Sequence, residues 1–196
     1  RRALRRGRAP AGGGGGCNNP LVVAALAGAR GGGGPPPPPD PSPQSVGTTL
    51  TAMLRTGSQL ALVHIGDSRA YLLRGGEFFQ ITHDHTLVQS MLDEGRITPD
   101  EAVSHPQRSL LVRALAGEGD AVAELRLHDA RAGDRYLLCS DGLSAVVPAE
   151  DIRRVIEDTA DPDAAVRALV ALANGSGGPD NVSCVVADVL EPEQRP

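Results

Sequence analysis

The chain has 196 residues, enough for one domain or for one domain and a tail. Its basic residues are all arginine and are unevenly placed: residues 1–45 hold six Arg and one acid, whereas residues 46–196 carry 13 Arg against 23 acids. An acidic body with two Tyr, two Phe and no Trp excludes general nucleic-acid binding and base stacking, and it suits the binding of cations.

Residues 1–45 contain 11 of the 24 Gly and 9 of the 16 Pro. Such a segment buries too little apolar surface to offset its ordering entropy, so a disordered tail is expected over 1–45, with a short helix over 20–29. The apolar run from Leu21 to Ala29 is too short to span a membrane. No membrane segment is expected, and a cytoplasmic monomer is the default.

From Val46 the texture changes to alternating and apolar runs. Thr48–Arg55, Gln59–Ile65, Arg69–Arg74 and Phe78–Thr82 read as four strands of an antiparallel meander, with Gly66-Asp67-Ser68 and Gly75-Gly76 among the turns. Leu87–Glu94 reads as a helix. A second helix opens at Thr98, which caps Pro99 at the first helical position and has Glu101 three residues on. Ala123–Leu127 and Asp134–Cys139 read as a hairpin around residues 130–133. Pro148–Thr159 and Asp161–Asn174 then form helices, and Val182–Leu190 a last strand. Strands and helices grouped apart predict an α+β layered domain over 46–196.

Three aspartates stand where a strand meets a tight turn: Asp67, Asp141 in Ser140-Asp141-Gly142, and Asp180 in Pro179-Asp180-Asn181. A single Ser-Asp-Gly is more often a turn-initiating Asp than a metal ligand. If the three strands lie side by side, the carboxylates converge at one sheet edge and repel unless a cation lies between them. Oxygen donors without His or Cys favour Mg²⁺ or Mn²⁺. His83 and His85 read as part of a solvated loop, and His64 as a structural histidine with its hydrogen bonds satisfied. Cys17, Cys139 and Cys184 show no metal or redox spacing, and the latter two read as small buried hydrophobes. Ser140 has no nucleophile elbow around it.

Six blocks carry a family resemblance: Gly47-Thr48-Thr49-Leu50, the run from His64 to Tyr71, the run from Thr82 to Thr86, the run from Ser104 to Arg108 with Arg113-Ala114-Leu115, the run from Leu138 to Leu143, and the run from Gly178 to Ser183. In this order they resemble the successive motifs of bacterial metal-dependent protein phosphatases, the PPM or PP2C family. The resemblance covers about Val46 to Leu190. It implies an α/β/β/α sandwich of two antiparallel sheets flanked by helices, with metals at one end. It also implies that Asp141 and Asp180 bind two catalytic Mg²⁺ or Mn²⁺ ions, that Asp67 joins Asp141 around a third, and that residues 86–117 form a flap beside the site. His105 and Arg108 on that flap become candidates to meet a phosphate, against a plain helix-flanking role.

The implied reaction is hydrolysis of phosphoserine and phosphothreonine in proteins, by a water activated between two metals and aligned with phosphorus. The partners would be substrates of Ser/Thr kinases. One departure matters: residues 1–45 contain neither the family's phosphate-binding Arg block nor its Asp-Gly-x-Gly-Gly motif with the metal-bridging Asp. The domain is therefore expected to be N-terminally incomplete and to bind metal weakly. A non-catalytic phosphatase-like module that binds a phosphoprotein or regulatory partner is the alternative.

Overall fold

The computed structural model describes residues 48–56, 58–115 and 122–190, together with the backbone of 21–26. Two antiparallel sheets face each other. One has the order β1 (Leu21–Leu26), β2 (Leu50–Thr56), β3 (Gln59–Ile65) and β6 (Glu124–Asp129). The other has the order β5 (Glu77–Gln80), β4 (Arg69–Arg74), β7 (Arg135–Cys139) and β8 (Cys184–Asp188).

The second sheet is buried on both faces, and its sequence shows why. Along β7, Tyr136 and Leu138 point between the sheets against Met53, Leu60 and Leu62, while Leu137 and Cys139 point the other way into a helical layer. A strand covered on both faces needs apolar residues at every position, hence the unbroken run Tyr136-Leu137-Leu138-Cys139. The helical layer consists of α3 (Asp141–Ser144), α4 (Ala149–Asp158) and α5 (Pro162–Gly175). Asp161 caps α5 by accepting from the Ala164 amide, with Pro162 at the first helical position. Ala165, Leu169 and Ala173 recur every four residues and seat that helix, each fully buried. Each large apolar side chain buried there, such as Leu169 or Ile156, stabilises the layer by about 2 kcal/mol. In the first sheet, Leu54, Leu125 and Leu127 remain exposed.

The segment expected as a flap carries α1 (Leu87–Asp93) and α2 (Pro99–Ser104). Thr98 and Glu101 form the expected capping box.

Three expectations need correction. The four strands are not one meander, because β2 pairs with β3 and β4 with β5, but β3 and β4 belong to different sheets. The chain changes sheet at Gly66, whose φ of 109° favours glycine and whose Cα lies against the Thr49 side chain with no room for a Cβ. Likewise, β6 and β7 form no hairpin, since β6 pairs with β3 and β7 with β4 and β8. Alternation in a sequence fixes which side chains point inward, whereas the choice of neighbouring strand depends on which layers must cover each other. Finally, Leu21–Leu26, within the helix expected over 20–29 and the tail expected over 1–45, is a strand antiparallel to β2. Val22 and Val23 are β-branched, and β2 offers them an unpaired edge. The rest of 1–45 lies outside the described residues.

Candidate metal and phosphate site

The two-sheet topology brings the three aspartates to one end. Arg69 pairs with Cys139, and Cys139 with Cys184, so the start of β4, the end of β7 and the start of β8 lie side by side. Asp67 lies two residues before Arg69, Asp141 two after Cys139, and Asp180 four before Cys184. Neighbouring strands are roughly 4.8 Å apart, so the strand ends next to the three aspartates span about two strand spacings. Asp67 is buried, Asp141 is half-buried at the start of α3, and Asp180 is exposed, accepting from the Asn181 amide at 2.6 Å.

Ser140 stitches the Asp141 and Asp180 loops together. Its amide donates to the Ser183 carbonyl at 2.9 Å, its Oγ accepts from the Ser183 amide at 3.0 Å, and its hydroxyl donates to the Asn181 carbonyl at 3.2 Å. Gly142 then packs directly on that carbonyl.

A buried polar cluster ties the first sheet to Ser68, the residue after Asp67. Thr49 Oγ1 and Ser68 Oγ are 2.9 Å apart. Thr51 Oγ1 lies 2.9 Å from both His64 Nδ1 and the Ser68 carbonyl, and His64 Nε2 lies 3.0 Å from the His83 carbonyl. Burial and the neighbouring His85 push the His64 pKa down, so the ring is neutral. Its Nε2–H donates to His83, and Nδ1 takes the Thr51 hydroxyl proton in competition with the Ser68 carbonyl. His64 is thus the satisfied structural histidine expected.

Of the solvated loop expected over residues 83–85, only His83 is open to solvent, its side chain 44% exposed. Asp84 and His85 are each only 7% exposed. Asp84 accepts from Arg69 through Nε and Nη2 at 2.9 and 2.7 Å, and from Gln80 Nε2 at 3.0 Å. His85 Nδ1 accepts from the Gly66 amide at 3.2 Å, and its backbone N–H donates to the Gly66 carbonyl at 2.8 Å. Burial, and then Arg113, lower the His85 pKa, which keeps Nδ1 free to accept. The missed signal was the Arg two residues after Asp67: a cation at the start of a buried strand needs a carboxylate, and Asp84 is the nearest acid downstream of the next strand.

His105 ends α2, half-buried, with Nδ1 accepting from the Gln107 amide at 3.2 Å; Arg108 is exposed on the same loop. Both lie between α2 and Leu111, where the chain pairs again with Thr86. Burial pushes the Cys139 thiol up to about 12 and that of Cys184 up to about 11, which leaves both protonated and unreactive.

As a metal site, this arrangement is partial. The carboxylate donors have the hard-oxygen chemistry that Mg²⁺ and Mn²⁺ take. However, no group of three His, Cys, Asp or Glu among the described residues lies close enough to hold an ion.

A family profile described as protein phosphatase 2C matches residues 38–186, which takes in all three aspartates and the flap. The chain belongs to the protein phosphatase 2C family. The serine/threonine protein phosphatase PstP of Mycobacterium tuberculosis is 57% identical over 152 residues, covering 78% of this chain and 29% of PstP. A crystal structure of that phosphatase superposes with a TM-score of 0.71 at 56% identity, covering 74% of this chain and 61% of the other. A structure of the PstP catalytic domain with two manganese ions gives a TM-score of 0.68 at 53% identity, covering 74% and 60%. The chain therefore spans about three fifths of the solved domains, and the family and sandwich fold inferred from the six motifs hold. Among the described residues, no helix is long and apolar enough to cross a membrane.

Proposed function

We propose that this chain carries the core of a metal-dependent protein serine/threonine phosphatase, which hydrolyses the phosphomonoester of phosphoserine and phosphothreonine side chains. The observation that supports it is the alignment of Asp67, Asp141 and Asp180 at the ends of three adjacent strands. The same reading draws on the 57% identity to PstP, which is named as such a phosphatase, and on the manganese ions in the PstP structure. Mg²⁺ or Mn²⁺ is the cofactor this reading requires, with Asp141 and Asp180 as principal holders and Asp67 as a further one. His105 and Arg108 on the flap are proposed to meet the substrate phosphate, and phosphoproteins made by Ser/Thr kinases to be the substrates, with the protein acting as a cytoplasmic monomer.

The experiment is Mn²⁺-dependent hydrolysis of p-nitrophenyl phosphate and of a phosphothreonine peptide, beside Asp141→Asn. Turnover that the substitution abolishes is expected. Turnover that survives Asp141→Asn would place the chemistry elsewhere.

A second reading has its own support. The absence of a three-ligand group among the described residues favours a non-catalytic module that binds a phosphoprotein or regulatory partner. No turnover at any Mn²⁺ concentration, together with retained binding of the phosphothreonine peptide, would select it.

A further inference from the structure

The two ends of the segment carrying α1 and α2 pair with each other beside His85. Thr86 and Leu111 form an antiparallel bridge, the Leu87 amide donates to the Leu110 carbonyl at 2.9 Å, and the Val112 amide donates to the His85 carbonyl at 2.9 Å. His85 therefore holds the returning strand of the flap by its own backbone. The same residue grips Gly66 twice, through its N–H and through ring Nδ1. Gly66 immediately precedes Asp67, and its left-handed turn takes its amide out of the β3 ladder, so His85 Nδ1 is the acceptor this buried N–H uses. The ring is fixed from behind by His64, with centroids 5.0 Å apart, and Nε2 lies 3.8 Å from Glu124 Oε2 at the start of β6.

We propose that His85 is a positioning residue that ties the base of the flap to the Gly66–Asp67 turn, so that the flap and the Asp67 carboxylate are held as one unit. Its catalytic consequence rests on the phosphatase reading; the mechanical coupling itself does not. Removing the ring acceptor strands a buried amide next to Asp67 and loosens the residue whose carbonyl anchors the flap. Both ends respond because His85 N–H and C=O belong to the residue that the ring immobilises.

The test compares His85→Leu, which removes the acceptor, with His85→Asn, which places Oδ1 close to the position of Nδ1. The backbone groups at position 85 are the same in both. The readout is amide hydrogen exchange in the whole chain. In His85→Leu, the Gly66–Asp67 segment and the flap base around Val112 are both expected to exchange faster by about tenfold, the factor expected for one lost buried hydrogen bond. His85→Asn is expected to restore both, and α4 to stay unchanged throughout. A structural defect without coupling would instead accelerate α4 equally. The proposal is overturned if Gly66 loosens while the flap base does not, if neither changes, or if His85→Asn fails to rescue. Should His85→Leu fail to fold, His85→Gln, whose acceptor lies one bond further out, takes its place under the same criteria.

In a turnover assay, the Mn²⁺ concentration for half-maximal rate and the KM for a phosphothreonine peptide are expected to rise together in His85→Leu. A wild-type chain without turnover would sink the phosphatase reading and leave the exchange result to decide the coupling.

Discussion

Gly142 packs against the Asn181 carbonyl so closely that its Cα leaves no space for a Cβ. The Asp141 and Asp180 loops thus approach as near as backbones allow, and the small residue after Asp141 is a requirement of that approach rather than of a special dihedral. Gly142→Ala is expected to push the loops apart, destabilising the fold by about 1–3 kcal/mol, the usual cost of overpacking. Thermal melting measures the loss of stability, and calorimetric Mn²⁺ titration is expected to show weaker binding as the Asp141 and Asp180 loops separate. Unchanged values in both would show that the loops yield freely.

Much of this end of the molecule was legible in the sequence, because strand ends and turn residues are local signals. Asp67, Asp141 and Asp180 each follow or precede a short apolar run, and the strands beside them, β4, β7 and β8, are neighbours in one sheet. The capping box at Thr98 and the cap at Asp161 are equally local. The route of the chain between sheets was not legible. Gly66-Asp67-Ser68 reads like a hairpin turn, and only the packing of Leu60 and Leu62 against Ala70 and Leu72 makes it a crossover. The burial of Asp84 and His85 was hidden for the same reason, since their partners Arg69 and Gly66 lie 15 and 19 residues away.

Arg69 and Asp84 form a bidentate pair joining β4 to the flap's entry, with Asp84 only 7% exposed. Asp84→Asn leaves the guanidinium facing a neutral amide, and Arg69→Met leaves a buried carboxylate with Gln80 alone. Each is expected to cost about 3 kcal/mol, the low end for a broken buried pair because Arg69 is 30% exposed. A double-mutant cycle in urea checks this. Additive losses, with no coupling energy, would show that the pair is incidental.

Asp134 predicts how the fold responds to acid. Burial on its own would raise its pKa, but hydrogen bonds from Arg74 and from the Arg131 amide outweigh that and hold the carboxyl below its ordinary 3.8. A carboxylate whose folded pKa is depressed contributes stability that is complete above the unfolded value and is lost as pH falls through the folded one. The urea midpoint is therefore expected to drop as pH falls below about 4. In Asp134→Asn, about 2 kcal/mol should be missing already at pH 7, with a flatter acid limb. An identical acid limb in the variant would assign the acid sensitivity to other carboxylates.

Ser140 separates the roles of position and charge at the candidate metal site. Its hydroxyl touches both the Asn181 carbonyl and the Ser183 amide, yet it carries no charge and supplies no nucleophile. Ser140→Ala keeps every carboxylate and removes only the stitch, at a cost of about 1 kcal/mol for a part-buried hydrogen-bonded hydroxyl. If the geometry of the Asp141 and Asp180 loops governs cation affinity, Mn²⁺ binding by calorimetry should weaken by about tenfold in Ser140→Ala. Ser140→Thr, which keeps the hydroxyl, should bind nearly as well as the wild-type chain. Equal Mn²⁺ affinity in all three proteins would mean that the two carboxylates act independently, and that pairing of the β7 and β8 ends is not what assembles the site.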